Sequence, residues 1–258
     1  MTQQELAAKL TRAGIENAAW EARLLCESFS GEALLAALNR RTAHEPLQYI
    51  LGEWYFYREI YEVNEHCLIP RSDTEILVDT AVKMLPDGAH FLDLCTGSGC
   101  VAISTLASRT DTTAAAVDLF SETLDLAARN AAKNGVVARA LFLQHDVLTA
   151  PPEALARGSF DAILSNPPYI RNDIVPTLQK EVRFEPAAAL MGGDDGLDFY
   201  RAILEKWCVL LKPQGMLLFE IGYDQAEAIL ALVPKYGYRA TVKKDLGGND
   251  RVAILEKQ

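Results

Sequence analysis

The chain has 258 residues, half of them hydrophobic and 23% charged, which is enough for one large domain or a large and a small one. A net charge of −10, from 25 basic against 35 acidic residues, argues against attachment to nucleic acid through a broad basic surface. The five cysteines form no CxxC pair, only four histidines are present, the N-terminus lacks an apolar signal core, and no apolar stretch approaches the roughly 20 residues of a membrane span, so reduced thiols in a cytoplasm are expected, with no disulfide framework, metal site or membrane partner.

Residues 1–45 read as helix. Leu6, Leu10 and Ala13, then Ala22, Leu25 and Phe29, then Leu34, Leu35 and Leu38 recur at helical spacing, punctuated by Gly14 and Ser30-Gly31. Helices this short are marginal alone, so a small bundle is expected, with Arg40-Arg41 as a solvated helix end. Tyr49 to Val63, rich in aromatic residues and broken by Gly52 and Tyr57-Arg58-Glu59, reads as a β-hairpin. Ile69-Pro70-Arg71 leads into an apolar helix beginning near Asp73, capped by Ser72 or Asp73, with Arg71 and Glu75 as a polar pair at its start.

From about residue 88 strands and helices alternate. Strands are expected at 90–94, 113–117, 140–144, 160–165 and 215–221. The intervening helices are 101–108, 121–134 with Ser121 as cap, 197–211 and 225–233. Two last strands, 239–244 and 251–256, flank Gly247-Gly248-Asn249-Asp250 and should pair antiparallel. The alternation predicts an α/β fold, a mostly parallel sheet covered on both faces.

Two strand ends carry chemistry. Asp93-Leu94-Cys95-Thr96-Gly97-Ser98-Gly99-Cys100 runs from a strand through a glycine turn into a helix, where backbone N–H groups can meet a ligand. Asp118 ends the next strand and can accept both hydroxyls of an adenosine ribose. Asp146, after the third strand, can reach an adenine amino group. Gly97, Gly99 and Ala102 also satisfy the dinucleotide fingerprint, so the loop alone does not separate a nicotinamide cofactor from S-adenosylmethionine.

The second strand end is Asn166-Pro167-Pro168-Tyr169, directly after the apolar strand 160–165. The prolines cannot continue a sheet, so an amide and an aromatic ring stand on a stiff turn at a strand's carboxyl end. The Asn166 side-chain oxygen and the Pro167 carbonyl can accept the two N–H bonds of a planar –NH2 group, and Tyr169 can pack against its plane. His44, His66, His90 and His145 are scattered and read as ordinary residues.

These residues resemble a known family. Asp93-Leu-Cys-Thr-Gly-Ser-Gly99 is similar to motif I of class I S-adenosylmethionine-dependent methyltransferases, and Asn166-Pro-Pro-Tyr169 to motif IV of those that methylate amide or exocyclic amino nitrogens. Pro46-Leu-Gln-Tyr-Ile-Leu-Gly52, Leu68-Ile-Pro-Arg-Ser-Asp-Thr-Glu75, Glu185-Pro186, Gly192-Gly-Asp-Asp-Gly-Leu-Asp-Phe-Tyr-Arg201, Glu220-Ile-Gly222 and Asp245-Leu-Gly-Gly-Asn-Asp-Arg251 resemble the peptide chain release factor glutamine N5-methyltransferase family. Cys95 departs from the family's usual Gly, Ser72 from a common Pro, and Val147 from an aromatic that some members place beside adenine.

The resemblance implies a Rossmann-like seven-stranded class I methyltransferase sheet with an antiparallel C-terminal hairpin, preceded by a helical bundle and hairpin linker. Residues 1–70 would form a substrate-recognition domain and 71–258 the methyltransferase domain. The cofactor would be S-adenosyl-L-methionine, leaving as S-adenosyl-L-homocysteine, with no metal. Cys95, Thr96, Gly97, Ser98, Gly99, Asp118, Asp146, Val147 and Asn166 would hold it. Asn166, Pro167, Pro168 and Tyr169 would hold the substrate, with Asn166, Pro167 and Tyr169 as the catalytic set. The substrate would be the glutamine of the Gly-Gly-Gln motif in release factors, and no direct contact with nucleic acid is expected. Three other readings stand beside it: an N6-adenine methyltransferase on nucleic acid, a nicotinamide oxidoreductase, and a silent binding module. Residues 1–70 hold more acids than bases, which disfavours the first.

Overall fold

The computed structural model of the protein describes residues 1–258. The chain opens with α1 (Gln3–Arg12), α2 (Ala18–Ser28) and α3 (Gly31–Thr42). A reciprocal cap starts α1: Thr2 Oγ1 accepts the Glu5 N–H at 3.2 Å, and the Glu5 carboxylate accepts the Thr2 N–H at 2.9 Å. Leu6, Leu10, Ala22, Leu25 and Leu38 bury together with Leu47 and Ile50 in a core of their own. The stretch predicted to begin the hairpin is instead a short helix, α4 (Leu47–Leu51), with Pro46 at its N-cap and Gly52 ending it at φ 78°.

The hairpin proper is β1 (Glu53–Phe56) and β2 (Glu59–Glu62), turning at Tyr57-Arg58. Phe56 and Tyr61 pack with Leu77, Phe91 and Leu106, on the side of the main sheet rather than in the helical core. The Tyr61 hydroxyl bonds Ser104 Oγ at 2.7 Å.

Arg41 is not a solvated helix end. It is buried, donates to both carboxylate oxygens of Glu21 at 2.6 and 3.2 Å, and reaches Glu181 at 3.2 Å. Arg40 is the exposed member and pairs with Glu45. Only tertiary packing distinguishes two adjacent arginines in this way.

A seven-stranded sheet follows, in spatial order β5-β4-β3-β6-β7-β9-β8. Its strands are β3 (His90–Leu94), β4 (Thr113–Asp118), β5 (Ala140–Gln144), β6 (Phe160–Ser165), β7 (Leu211–Glu220), β8 (Tyr238–Lys244) and β9 (Asp250–Lys257). The pairs among β5, β4, β3, β6 and β7 are parallel, and β9 runs antiparallel to both β7 and β8. The helices are α5 (Glu75–Met84), α6 (Cys100–Ser108), α7 (Ser121–Lys133), α8 (Asp198–Ala202) and α9 (Ala226–Leu232). Apolar clusters lie on the two faces of the sheet, one around Phe91, Ile103 and Leu164, the other around Ile163, Trp207 and Phe219.

Several local expectations give way. After a 3-10 turn at Ser72–Thr74, α5 has no side-chain cap, and Asp73 instead faces Arg251 at 3.3 Å. Arg71 and Glu75 do not pair: Arg71 bonds Glu185, while Glu75 accepts the Tyr57 N–H at 3.0 Å. Ser121 is the first residue of α7 and turns its hydroxyl to Glu122 rather than to a backbone amide. The predicted helix 197–211 is interrupted: α8 runs on through a π turn at Ile203–Trp207 and a 3-10 turn at Cys208–Leu210. β7 begins before Gly215, because Leu211 pairs with Phe160 ahead of an irregularity in the ladder.

The Glu21–Arg41 pair generates a stability prediction. Removing one partner of a buried ion pair typically costs about 3–5 kcal/mol, because the other charge stays buried. Glu21→Ala should therefore lower the urea midpoint markedly. Glu45→Ala, at the exposed pair with Arg40, should shift it by less than about 1 kcal/mol.

Candidate functional site

The carboxyl ends of β3, β4, β5 and β6 open on one cleft of about 300 Å³. In open α/β sheets ligands settle where the strand order reverses, and here that point lies between β3 and β6. Leu94 and Ser165 are register partners across it, and the Ser165 hydroxyl donates to the Leu94 carbonyl at 2.7 Å. The glycine loop and the Asn-Pro-Pro-Tyr turn thus leave neighbouring strands side by side.

The loop after β3 is shaped from beneath. Asp93 is buried, and its Oδ2 accepts the Thr96 hydroxyl at 2.6 Å and the Ala102 N–H at 3.2 Å, joining the strand end to the first turn of α6. Burial pushes this carboxyl up to about 7, against those two hydrogen bonds. Cys95 adopts φ 60°, a left-handed conformation that costs an L-residue roughly 1–2 kcal/mol and suits glycine. Gly97, at φ 56°, has nothing within 4 Å of the place a Cβ would take. Ser98 lines the cleft, and its buried hydroxyl has no partner within the protein. Gly99 does not line the cleft. At φ 82° it starts α6, and a Cβ there would meet Ile103 Cδ1 at 2.7 Å and Ala127 Cβ at 3.3 Å. Its left-handed backbone at the start of α6 favours glycine whatever the space around it.

Asp118 faces this loop and accepts the Gly97 N–H at 2.9 Å and the Phe120 N–H at 3.3 Å. Burial raises its carboxyl above the ordinary range, and the backbone bonds oppose the shift. Asp146 and Val147 lie farther along the wall, Asp146 accepting the Leu148 N–H at 2.8 Å. Sequence reasoning passed over Leu119, Phe120 and Leu148, which also line the cleft. The aromatic ring absent at Val147 is present on the same wall at Phe120. Asn130, fully buried on α7, was also missed. Its amide donates to the carbonyls of Ser98 and Glu62, and its oxygen accepts the Glu62 N–H at 2.7 Å, fastening the loop to the hairpin.

The turn after β6 brings Asn166 and Pro168 to the cleft. The Asn166 amide nitrogen donates to Thr74 Oγ1 at 3.2 Å. Neither Asn166 Oδ1 nor the Pro167 carbonyl accepts a hydrogen bond from the protein. Pro167 is buried and does not line the cleft. Tyr169 does not line it either: its hydroxyl points back to Glu220 at 3.4 Å, so it is no stacking platform here. Gly192 packs directly on this turn, where a Cβ would come within 2.7 Å of the Pro168 carbonyl and of Tyr169 Cα. At Gly196 a Cβ would meet the Tyr169 carbonyl at 2.4 Å. Gln225 clamps the same place, its Nε2 donating to the carbonyls of Tyr169 and Gly196, both at 3.1 Å.

The comparisons with known proteins agree with this geometry. Residues 72–189 match the family described as the Methyltransferase small domain. The chain is 37% identical over 269 residues to the release factor glutamine methyltransferase of Caulobacter vibrioides, covering 95% of this chain and 92% of that protein. It is 42% identical over 219 residues to the protein of the same name from Cereibacter sphaeroides, covering 84% and 76%. Among solved structures, a methyltransferase from Pyrococcus furiosus superposes with a TM-score of 0.57 at 19% identity, covering 76% of this chain and 87% of that one. A ribosomal protein L11 methylase from Lactobacillus delbrueckii gives 0.53 at 20% identity, covering 76% and 84%, and both likenesses speak for the fold alone. With its seven-stranded sheet and with relatives aligned over nearly its full length, the chain belongs to the release factor glutamine methyltransferase family, a family of S-adenosylmethionine-dependent enzymes.

Proposed function

We propose that this protein transfers a methyl group from S-adenosyl-L-methionine to the side-chain amide nitrogen (N5) of the glutamine in the Gly-Gly-Gln motif of peptide chain release factors, so acting on translation termination. The observation that carries the reading is Asn166, whose amide nitrogen is held inward by Thr74 while its oxygen accepts nothing from the protein. That leaves an acceptor at the cleft, as binding a donor –NH2 group requires.

The cleft fits the cofactor. Gly97 leaves open space where a side chain would stand, the buried Ser98 hydroxyl lacks a partner, and α6 starts without a side-chain cap. The free N–H groups at the start of α6 and the Ser98 hydroxyl suit the carboxylate of the molecule's amino-acid end. Asp118 and Asp146 are carboxylates on the wall where ribose hydroxyls and an adenine amino group would find acceptors, and Phe120, Leu119 and Val147 offer apolar contact to a flat base. Bound there, the cofactor supplies an electrophilic methyl group on sulfur.

The residues do the rest by positioning. An amide nitrogen is a weak nucleophile because its lone pair is delocalised into the carbonyl. Asn166 Oδ1 accepts one of its N–H bonds at the cleft, and the Pro167 carbonyl, which takes no donor from the protein, accepts the other once the substrate amide reaches past the lining to the turn's main chain, which aims the nitrogen and stabilises the positive charge that develops on it. The methylated nitrogen is acidic and loses its proton without a strong base. Tyr169 acts from behind the turn.

Residues 1–70 form, in this reading, the substrate-recognition part. Their helices contact the segment that continues from the turn, through Arg41 and His44 to Glu181 at 3.2 and 3.0 Å. All five cysteines are free, as suits a reducing cytoplasm, where this reading places the reaction. No helix is long and apolar enough to cross a membrane.

The reading is tested with labelled S-adenosylmethionine and, separately, a purified release factor, DNA and RNA. Label should appear on the release-factor peptide bearing Gly-Gly-Gln, and a factor whose glutamine is changed to alanine should stay unlabelled. Label on DNA or RNA alone overturns it. Asp118→Ala should weaken cofactor binding by roughly 1.5–3 kcal/mol in calorimetry, through loss of a charged acceptor. Asn166→Ala opens no core cavity and should weaken cofactor binding less than Asp118→Ala does. It should cut single-turnover transfer about 10²–10³-fold.

A further inference from the structure

A second cavity, of about 570 Å³, lies between the helices, the hairpin and the segment that follows the Asn-Pro-Pro-Tyr turn. Asn17 and Trp20 line it from the helices, Trp54 from β1, and Gln179 and Val182 from that segment. Trp20 is exposed and packs edge-on against Trp54, ring centroids 6.3 Å apart. Exposed tryptophan beside a cavity is the kind of anchor that protein partners bury.

The second cavity and the cofactor cleft share a wall. Arg71 borders both. Its partner Glu185 is buried, with both carboxylate oxygens taken: Oε2 accepts the Ile69 N–H at 3.0 Å, and Oε1 accepts from Arg71. This pair fixes the arginine by one N–H and leaves the rest of the guanidinium without a partner in the protein. A guanidinium is a planar fork that keeps its charge, so the remaining N–H groups are on offer to an incoming acceptor. Arg71 is the only lysine or arginine lining the cleft, and the cleft's own acids, Asp118 and Asp146, take backbone N–H groups instead. Arg41, the other arginine bordering the second cavity, is committed to Glu21 and Glu181.

Arg71 also stands close to the reacting centre. Its carbonyl accepts the Thr74 N–H at 3.0 Å, closing the 3-10 turn, and Thr74 Oγ1 holds the Asn166 amide nitrogen at 3.2 Å. Three residues of such a turn rise roughly 6 Å. Successive Cα atoms of a bound chain are about 3.8 Å apart. A glutamine whose amide meets Asn166 therefore brings its neighbouring residues within reach of the long Arg71 side chain. An arginine fork approaches main-chain carbonyls most closely where no Cβ shields them, which is what glycine offers.

We propose that Arg71, held by Glu185, is a specificity-determining residue that binds main-chain carbonyls of the glycines ahead of the target glutamine, and that the second cavity receives the release-factor chain continuing from them. This rests on the reading that a release-factor Gly-Gly-Gln segment is the substrate.

The test follows single-turnover transfer from pre-bound labelled S-adenosylmethionine at increasing concentrations of intact release factor, with cofactor affinity measured separately by calorimetry. Arg71→Ala should raise the half-saturating concentration of release factor about 10–100-fold, the scale of lost charge-assisted hydrogen bonds, and change cofactor affinity far less. Arg71→Lys keeps the charge facing Glu185 but not the fork, so it should recover only part of the loss, and it carries the measurement if the alanine variant does not fold. Glu185→Gln keeps an acceptor for the Ile69 N–H, loosens the guanidinium, and should move the same constant in the same direction. Asn17→Trp and Gln179→Trp enlarge exposed side chains on two walls of the second cavity. Each should raise the half-saturating concentration while changing the maximal rate and cofactor affinity far less. A release factor with alanine in place of the glycine next to its glutamine should bind the parent about tenfold more weakly and Arg71→Ala little more weakly than before, because both changes remove one contact.

Parental half-saturation in both Arg71 variants, or in both tryptophan variants, would overturn the proposal. So would a loss of cofactor affinity in Arg71→Ala equal to its loss toward release factor, or arginine and glycine changes whose costs simply add. If the parent labels no release factor at all, the functional reading itself fails and the role of Arg71 falls with it.

Discussion

The rung that pairs Leu94 with Ser165 carries the site. Strand order reverses at this rung, so a crevice opens beyond it. One residue past the rung the chain becomes Cys95 on one side and Asn166 on the other. The cofactor loop and the substrate turn thus inherit their separation from a hydrogen-bonded ladder, not from flexible loops. The Ser165 hydroxyl locks the rung by bonding the Leu94 carbonyl. Everything else described at the cleft adjusts groups whose spacing the sheet has already decided.

Much of this was legible in the chain itself. β3, β5 and β6 fall where apolar runs stop at glycine, polar or proline signals, because such residues break ladders for local steric reasons. The glycine loop and the Asn-Pro-Pro-Tyr turn were readable for the same reason, and most of the residues assigned to the cofactor do line the cleft. What could not be read is whatever depends on a distant partner. Thr74 looks like one more residue at a helix start, yet it orients Asn166 from across the sheet. Arg41 and Arg40 are neighbours in sequence, and only the fold makes one buried and the other exposed. Gly99 and Gly97 look equivalent in the motif, but one starts α6 against Ile103 and Ala127 and the other opens toward the cleft.

The hairpin illustrates how apolar contacts divide the chain. The helices ahead of Gly52 bury their leucines among themselves, while Phe56 and Tyr61 belong to the core under the sheet. The hairpin is thus covalently next to the helices and energetically part of the large sheet. Asn130 adds polar ties in the same direction, joining β2 to the glycine loop. The helical part is connected to the site by a different route, through Arg41, His44 and Glu181.

The contact of Gly192 and Gly196 with the turn has a consequence for how this protein can fail. Both glycines lie outside the cleft, and each abuts main-chain atoms of Pro168 or Tyr169 with no room for a methyl group. A side chain there acts as a wedge. It pushes the acceptor turn forward while the sheet, its apolar cores and the cofactor wall stay as they are. The protein therefore has a place outside the cleft from which the substrate turn itself can be displaced. Turnover would reveal the defect of such a variant.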